Sequence, residues 1–140
     1  MTAKPETNFW KSLKKLLETG RERYQVSRIE SYATPGFPDC VVFHEKTGFF
    51  TLELKLIQRS NRIRISPFQY AWNRLHYDIG APVFILAGAL GGGYVKMFSG
   101  AKLQDLREKT IDLVPGLYEG RIEDLELWSV VHGANSQTPC

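Results

Sequence analysis

Cysteine is scarce in this chain: only Cys40 and Cys140 occur among 140 residues. Two thiols cannot build a disulfide framework, and no Cys-x-x-Cys pair offers the spacing of a zinc site. Histidine is equally sparse, with His44, His76 and His132 scattered and lacking ligand spacing. No apolar run is long enough to span a bilayer, so no membrane association is expected. Residues 1–8 are polar and lack the apolar stretch of a secretion signal. These absences lead to the expectation of a reducing, cytoplasmic location. A dominant charge is also lacking. Eighteen Lys and Arg stand against 15 Asp and Glu, a net charge of +3, and this mild excess is a weak pull toward nucleic acid. There is no internal repeat and no low-complexity tract.

What remains is the composition of an ordinary globular chain, 43% hydrophobic and 24% charged. The length suffices for one domain with a core, expected over 1–134 with a loose tail at 135–140. Thr7 or Asn8 can cap a first helix whose apolar positions are Phe9, Leu13, Leu16 and Leu17, ending at Gly20. Strands are predicted at 25–31, 40–44 and 49–56. Ser66-Pro67-Phe68-Gln69 is a capping box with proline at the first helical position. Phe68, Ala71, Trp72, Leu75 and Ile79 then make one apolar face, and Gly80 stops the helix. Strands follow at 82–87 and 94–98, and 101–109 is predicted helical. Beyond this the pattern weakens: 111–117 reads as a strand, and 122–131 as helix or strand. The order predicts an α/β fold with a mixed central sheet flanked by helices. The connection from the third strand through the second helix makes the third and fourth strands parallel.

The unusual feature is charge inside the third strand. Side chains alternate along a strand, so Glu53 and Lys55 share one face. A Lys46-Thr47-Gly48 loop pairs Glu45 with Phe49 and carries Asp39 opposite Lys55, on that same face. Two carboxylates and an ammonium thus converge at one end of the hairpin. Carboxylates so close stay ionised most readily with a cation between them. Oxygen ligands with open positions suit Mg²⁺ or Mn²⁺, and such an ion can promote phosphodiester hydrolysis with a lysine beside it. A plainer reading stands alongside: Glu53 and Lys55 as a weak ion pair on a solvated face, Asp39 as a turn residue after Pro38.

The combination resembles the PD-(D/E)XK nucleases. Pro38-Asp39 and Glu53-Leu54-Lys55 match their signature. Gly36-Phe37-Pro38-Asp39 looks like the Gly-apolar-Pro-Asp of the VRR-NUC branch and of small phage-encoded nucleases. Ser66-Pro67-Phe68-Gln69, followed by Trp72, Leu75 and Gly80, resembles the helix after the active-site strand in that family. The likeness covers roughly residues 9–86. It implies a restriction-endonuclease-like fold and a Mg²⁺- or Mn²⁺-dependent DNA endonuclease, including the branched-DNA cutters related to Holliday-junction resolvases. It implies a place in the host cytoplasm if the chain is phage-encoded, and a homodimer if a four-way junction is cut symmetrically.

The resemblance also implies roles. Asp39 and Glu53 would hold the metal, with the main-chain carbonyl of Leu54 completing the set. Lys55 would be the catalytic lysine, and Gln69 the helix glutamine facing the site; the capping box explains Gln69 equally well. Related resolvases carry a further glutamate near the start of the first helix. Here that region offers Glu6, Thr7 and Asn8, and Glu18 can pair with Lys14 instead. Glu30 is the expected third acid, because it ends the first strand and sits in an Arg28-Ile29-Glu30 run similar to that of the phage nucleases. Arg59, Arg62 and Arg64 follow the active-site strand within ten residues, a basic loop suited to DNA phosphates. Two other classes remain open: a nuclease-fold DNA-binding or structural protein of a phage particle or repair assembly that does not cleave, and an unrelated enzyme using the same groups without metal.

Overall fold

The computed structural model describes residues 5–29 and 35–136. The chain starts with helix α1 (Pro5–Thr19), then strands β1 (Tyr24–Arg28), β2 (Cys40–His44) and β3 (Gly48–Ile57). Helix α2 (Pro67–Asp78) crosses to β4 (Val83–Ala89), which turns back into β5 (Tyr94–Ser99). A short helix α3 (Leu103–Glu108), strand β6 (Tyr118–Arg121) and helix α4 (Leu127–Ser136) follow. Among the described residues the strands form one sheet of six, ordered as in the sequence. The fold is thus mixed α/β, a mixed sheet flanked by helices. The β3–β4 pair is parallel, as the crossover through α2 requires, and the other pairs are antiparallel. No helix is long and apolar enough to cross a membrane among the described residues.

Alternation along the strands gives the sheet two apolar faces. One carries Val42, Phe50, Leu52, Phe84, Leu86 and Met97 against Leu13 and Leu17 of α1 and Leu127 and Val131 of α4. Helix α1 lies so close that a Cβ on Gly88 would come within 2.9 Å of the Phe9 ring. The other face carries Ile85, Ala87 and Phe98 against Leu103 and Leu106 of α3, with Ile63 and Ile111 from flanking loops.

Several expectations need correction. Helix α1 begins at Pro5, before Thr7 and Asn8, so neither caps it. Residues 111–117 hold a 3₁₀ turn at Ile111–Leu113 where a strand was expected, and the edge strand is β6 instead. Helix α4 continues through Ser136, past the expected start of the tail at 135.

The hairpin register also differs. His44 pairs with Gly48, so the loop is Glu45-Lys46-Thr47, and Cys40 pairs with Leu52. His44 closes this turn: its carbonyl accepts from the Thr47 N–H at 3.1 Å and its ring from the Lys46 N–H at 3.1 Å. The His44 ring is fully buried and also bonds Glu22 at 2.9 Å. Extending the register one pair beyond Cys40 sets Asp39 opposite Glu53, not Lys55. The slip is two residues, so every side chain keeps its face.

The largest correction concerns α2. Its capping box is present, with Ser66 and Gln69 each accepting from the other's backbone. Its apolar stripe, however, faces outward. Phe68, Leu75 and Ile79 are 63%, 66% and 81% exposed, and the buried residue of the helix is Asn73. The cause lies beneath it: the sheet face that α2 covers carries Glu53, so the helix turns its amide side chains down to meet it.

This orientation predicts unequal costs for two leucine truncations. Leu13→Ala should destabilise by about 2–5 kcal/mol, as cavities in cores do. Leu75→Ala should stay within about 0.5 kcal/mol of wild type. Chemical denaturation measures both, and a Leu75→Ala loss as large as that of Leu13→Ala would mean that α2 is turned the other way.

Candidate active site and basic cleft

Strand β2 stops at Cys40, so the second half of β3 has β4 on one side and an open edge on the other. Asp39 fills the start of that opening. Its Oδ2 accepts the Leu54 N–H at 2.7 Å, while its own carbonyl accepts the Ile29 N–H at 2.7 Å. The preceding loop is held against α2. Gly36 has φ +85, and a Cβ there would lie 2.2 Å from the Phe68 carbonyl oxygen, so glycine alone fits. Phe37 then packs its ring 5.0 Å from that of Trp72.

Glu53 lies deeper, only 2% exposed. One carboxylate oxygen, Oε1, accepts from Gln69 Nε2 at 3.0 Å and stands 4.0 Å from Lys55 Nζ. The other, Oε2, is buried with no hydrogen-bond donor. Burial, and then the neighbouring Asp39 carboxylate, push the Glu53 carboxyl up to about 9; Lys55 and the Asn73 side chain act in the opposite direction. Without a cation, burial beside a second carboxylate favours the protonated form of Glu53.

Gln69 joins the acid and the lysine. Its Oε1 accepts both the Ser66 N–H at 3.0 Å and the Lys55 ammonium at 2.6 Å. The two readings of Gln69 are therefore compatible: the oxygen that completes the cap also holds Lys55. One turn along, Asn73 donates to the Gln69 carbonyl at 2.8 Å, and its own Oδ1 is buried without a partner. Nothing in the sequence marked Asn73, because a polar residue inside an apolar-patterned helix reads as surface. The Cys40 thiol nearby is buried and pushed up to about 12, chiefly by burial. At neutral pH it stays protonated, the unreactive form of a thiol.

Among the described residues no group of three His, Cys, Asp or Glu side chains is placed to hold a metal. The donors present still fit a hard, oxygen-seeking cation. Asp39 and Glu53 offer carboxylate oxygens, one of them orphaned. In an extended strand the N–H and C=O of one residue project to the same side. The Leu54 carbonyl therefore points to the side of Asp39, past the end of β2. Two carboxylates, one carbonyl and waters make an acceptable Mg²⁺ or Mn²⁺ shell. Glu30, the expected third acid, lies outside the described residues. Glu6 of α1 lines a hollow with Leu54, Lys55 and Arg64, at the edge of the site. Glu18 pairs with Lys14 at 3.8 Å on the helix surface.

From Lys55 a cleft of about 690 Å³ runs along the loop 58–65, lined by Gln58, Arg62, Arg64, Gln69 and Arg107. The loop is not free. The Arg62 guanidinium donates to the Glu108 carbonyl at 2.9 Å, and the Asn61 amide to Asp112 at 2.7 Å. The Ile111 N–H donates back to the Asn61 carbonyl at 2.8 Å. Asn61 adopts φ 60, a left-handed turn position that asparagine tolerates. The chain after β5 thus braces the basic loop and contributes Arg107. Arg59 is exposed on the same loop but lies outside the cleft wall. Trp10, Trp72 and Trp128 pack against Arg28, Phe37 and His44 respectively.

In comparison with known proteins, no family model matches the chain, and no curated protein or solved structure does.

The carboxyl pair predicts a pH effect of definite sign. Glu53 is raised from 4.5 to about 9 in the folded protein, so the fold binds a proton that the unfolded chain releases. The associated stability is complete below pH 4.5 and is lost as pH rises toward about 9. In EDTA the melting temperature of wild type should fall across this window relative to Glu53→Gln, which has no proton to lose. Parallel melting curves for the two proteins would overturn the buried-acid assignment.

Proposed function

We propose that the protein is a Mg²⁺- or Mn²⁺-dependent DNA endonuclease of the PD-(D/E)XK type, built on a restriction-endonuclease-like sheet. The observation that carries this reading is the buried Glu53 carboxyl, one oxygen of which has no hydrogen-bond partner, next to the Asp39 carboxylate that accepts the Leu54 N–H. An ionised carboxylate in that position is costly unless a cation meets it. Asp39, Glu53 and the Leu54 carbonyl would hold the ion, with Glu30 as the further acid. When bound, such an ion polarises a phosphodiester and acidifies water. Lys55, fixed by Gln69, sits where it can orient the attacking water and neutralise charge gathering on the phosphate. Hydrolysis adds water across one P–O bond, and the leaving oxygen takes the proton. Arg59, Arg62 and Arg64 hold the DNA backbone through phosphates, which positions the strand without reading sequence. This activity belongs in the cytoplasm, and a homodimer is the assembly that symmetric cutting of a branched substrate would require.

A second reading, a nuclease-like fold that binds DNA or serves in an assembly without cutting, is favoured by one observation: no third acid joins the pair among the described residues. Incubation with branched, linear and single-stranded DNA, in Mg²⁺, Mn²⁺ or EDTA, separates the two. Metal-dependent cutting is expected. Asp39→Ala and Glu53→Ala should abolish it while both proteins remain folded. Lys55→Ala should lower the rate by roughly a hundredfold to a thousandfold, as the loss of one transition-state donor does. Cutting by both acid variants at the wild-type rate would end the nuclease reading.

The basic loop makes a separate claim. Alanine at Arg59, Arg62 and Arg64 together should weaken DNA binding regardless of sequence. The slope of log affinity against log salt should flatten by about one for each lost phosphate contact. An unchanged slope would place the DNA on another surface.

A further inference from the structure

Arg107 enters the cleft from α3, far in sequence from the loop it faces. Its guanidinium lies 4.5 Å from the centre of the Tyr70 ring. Tyr70 is partly buried and backed by the apolar cluster that contains Ile63, Ile85 and Leu106. A guanidinium stacked on a ring is held in place yet keeps its N–H edge free for a phosphate. The arginines that pair with a carboxylate among the described residues are Arg74 and Arg121, so no acid among those residues forms an ion pair with Arg107 or Arg64. The charged residues lining the cleft are Lys55, Arg62, Arg64 and Arg107, all cations. Glu108 lines an adjoining hollow with Tyr70 and Arg107, and its side chain is engaged by Gln104 at 3.4 Å.

Size decides what these cations meet. About 690 Å³ is the scale of a cleft that encloses a small molecule. A duplex, whose major groove alone is about 12 Å across, is too broad to enter. A single strand fits, with phosphates on the arginines and a base or sugar against Ile63 and Ile65, which also line the wall. A positive groove with an aromatic and apolar wall is the usual platform for unpaired strands. The same cavity opens onto Lys55 and Gln69, so a strand within it would lead to the candidate active site.

We propose that this cleft is a subsite for a single-stranded DNA segment adjoining the scissile phosphate, with Arg107, held on Tyr70, and Arg64 as its phosphate grips. The proposal rests on the nuclease reading for its location and names the substrate class: DNA with an unpaired stretch beside the cut, in place of plain duplex.

The test uses binding in EDTA, where no cutting occurs. A labelled short blunt duplex is compared with the same duplex carrying a 5′ or a 3′ single-stranded overhang, by fluorescence anisotropy. Wild type should bind one overhang form about tenfold more tightly than the blunt form, the gain expected from one stacked or gripped nucleotide. Arg107→Ala should erase most of that preference, lowering affinity for the favoured overhang form far more than for the blunt duplex. Arg74→Ala, which removes a cation outside the cleft, should retain it. Equal binding of all three probes by wild type, or an undiminished preference in Arg107→Ala, would overturn the subsite. The two readings fail separately. Mg²⁺-dependent cutting without an overhang preference removes only the subsite, whereas an Arg107-dependent preference in a protein that never cuts removes only the nuclease.

Discussion

The structure turns on one unfavourable placement, a glutamate carboxyl buried in the central sheet with a second carboxylate against it. Glu53 has 2% of its surface exposed and one oxygen with no donor. Every neighbouring element is arranged around this. The open edge of β3 admits Asp39, which is held by the Leu54 N–H. Helix α2 gives up the burial of its own apolar stripe and presents Gln69 and Asn73 instead. Leaving leucine and isoleucine in water is less costly than leaving a buried carboxylate without partners. The polar demand of the sheet therefore sets the rotation of the helix.

The network is economical because one residue serves two ends of it. Gln69 Oε1 finishes the first turn of α2 and holds Lys55, while Gln69 Nε2 holds Glu53. A change in the capping geometry would therefore be felt at the lysine and the acid together. The helix is fixed from the other side by Gly36, whose lack of a side chain lets the Asp39 loop rest on the Phe68 carbonyl. The acid before β2, the acid and lysine on β3 and the cap of α2 form one connected unit.

The second half of the chain supplies support that looks unrelated to the site. Helix α3 and the turn after it receive Arg62 and Asn61, fixing the basic loop, and bring Arg107 into the cleft wall. Lys96, 5% exposed on β5, ties the same region down by donating to the Ile111 carbonyl at 3.0 Å. A loop carrying Arg59, Arg62 and Arg64 would otherwise repel itself. The Arg62 and Asn61 side chains donate to the Glu108 carbonyl and to Asp112, and the Asn61 carbonyl accepts the Ile111 N–H, which holds the loop in place.

Much of this was legible in the amino-acid order, and the reasons are local. The 2.0 and 3.6 periodicities marked β2, β3, α1 and α2, and the Ser66–Gln69 spacing marked the cap. Alternation put Glu53 and Lys55 on one face, and the length of the α2 crossover made β3 and β4 parallel. Three things were decided only by tertiary contacts. The hairpin register was set by His44, whose buried ring and carbonyl close the turn on residues the loop pattern did not single out. The outward turn of α2 was set by the charge on the sheet below it, since a hydrophobic stripe shows where an apolar face is but not what it meets. Arg107 reached the cleft because α3 packs beside α2, a meeting of residues far apart in the chain that no local pattern encodes. Sequence determines which side chains share a face; only the packed chain determines what that face is pressed against.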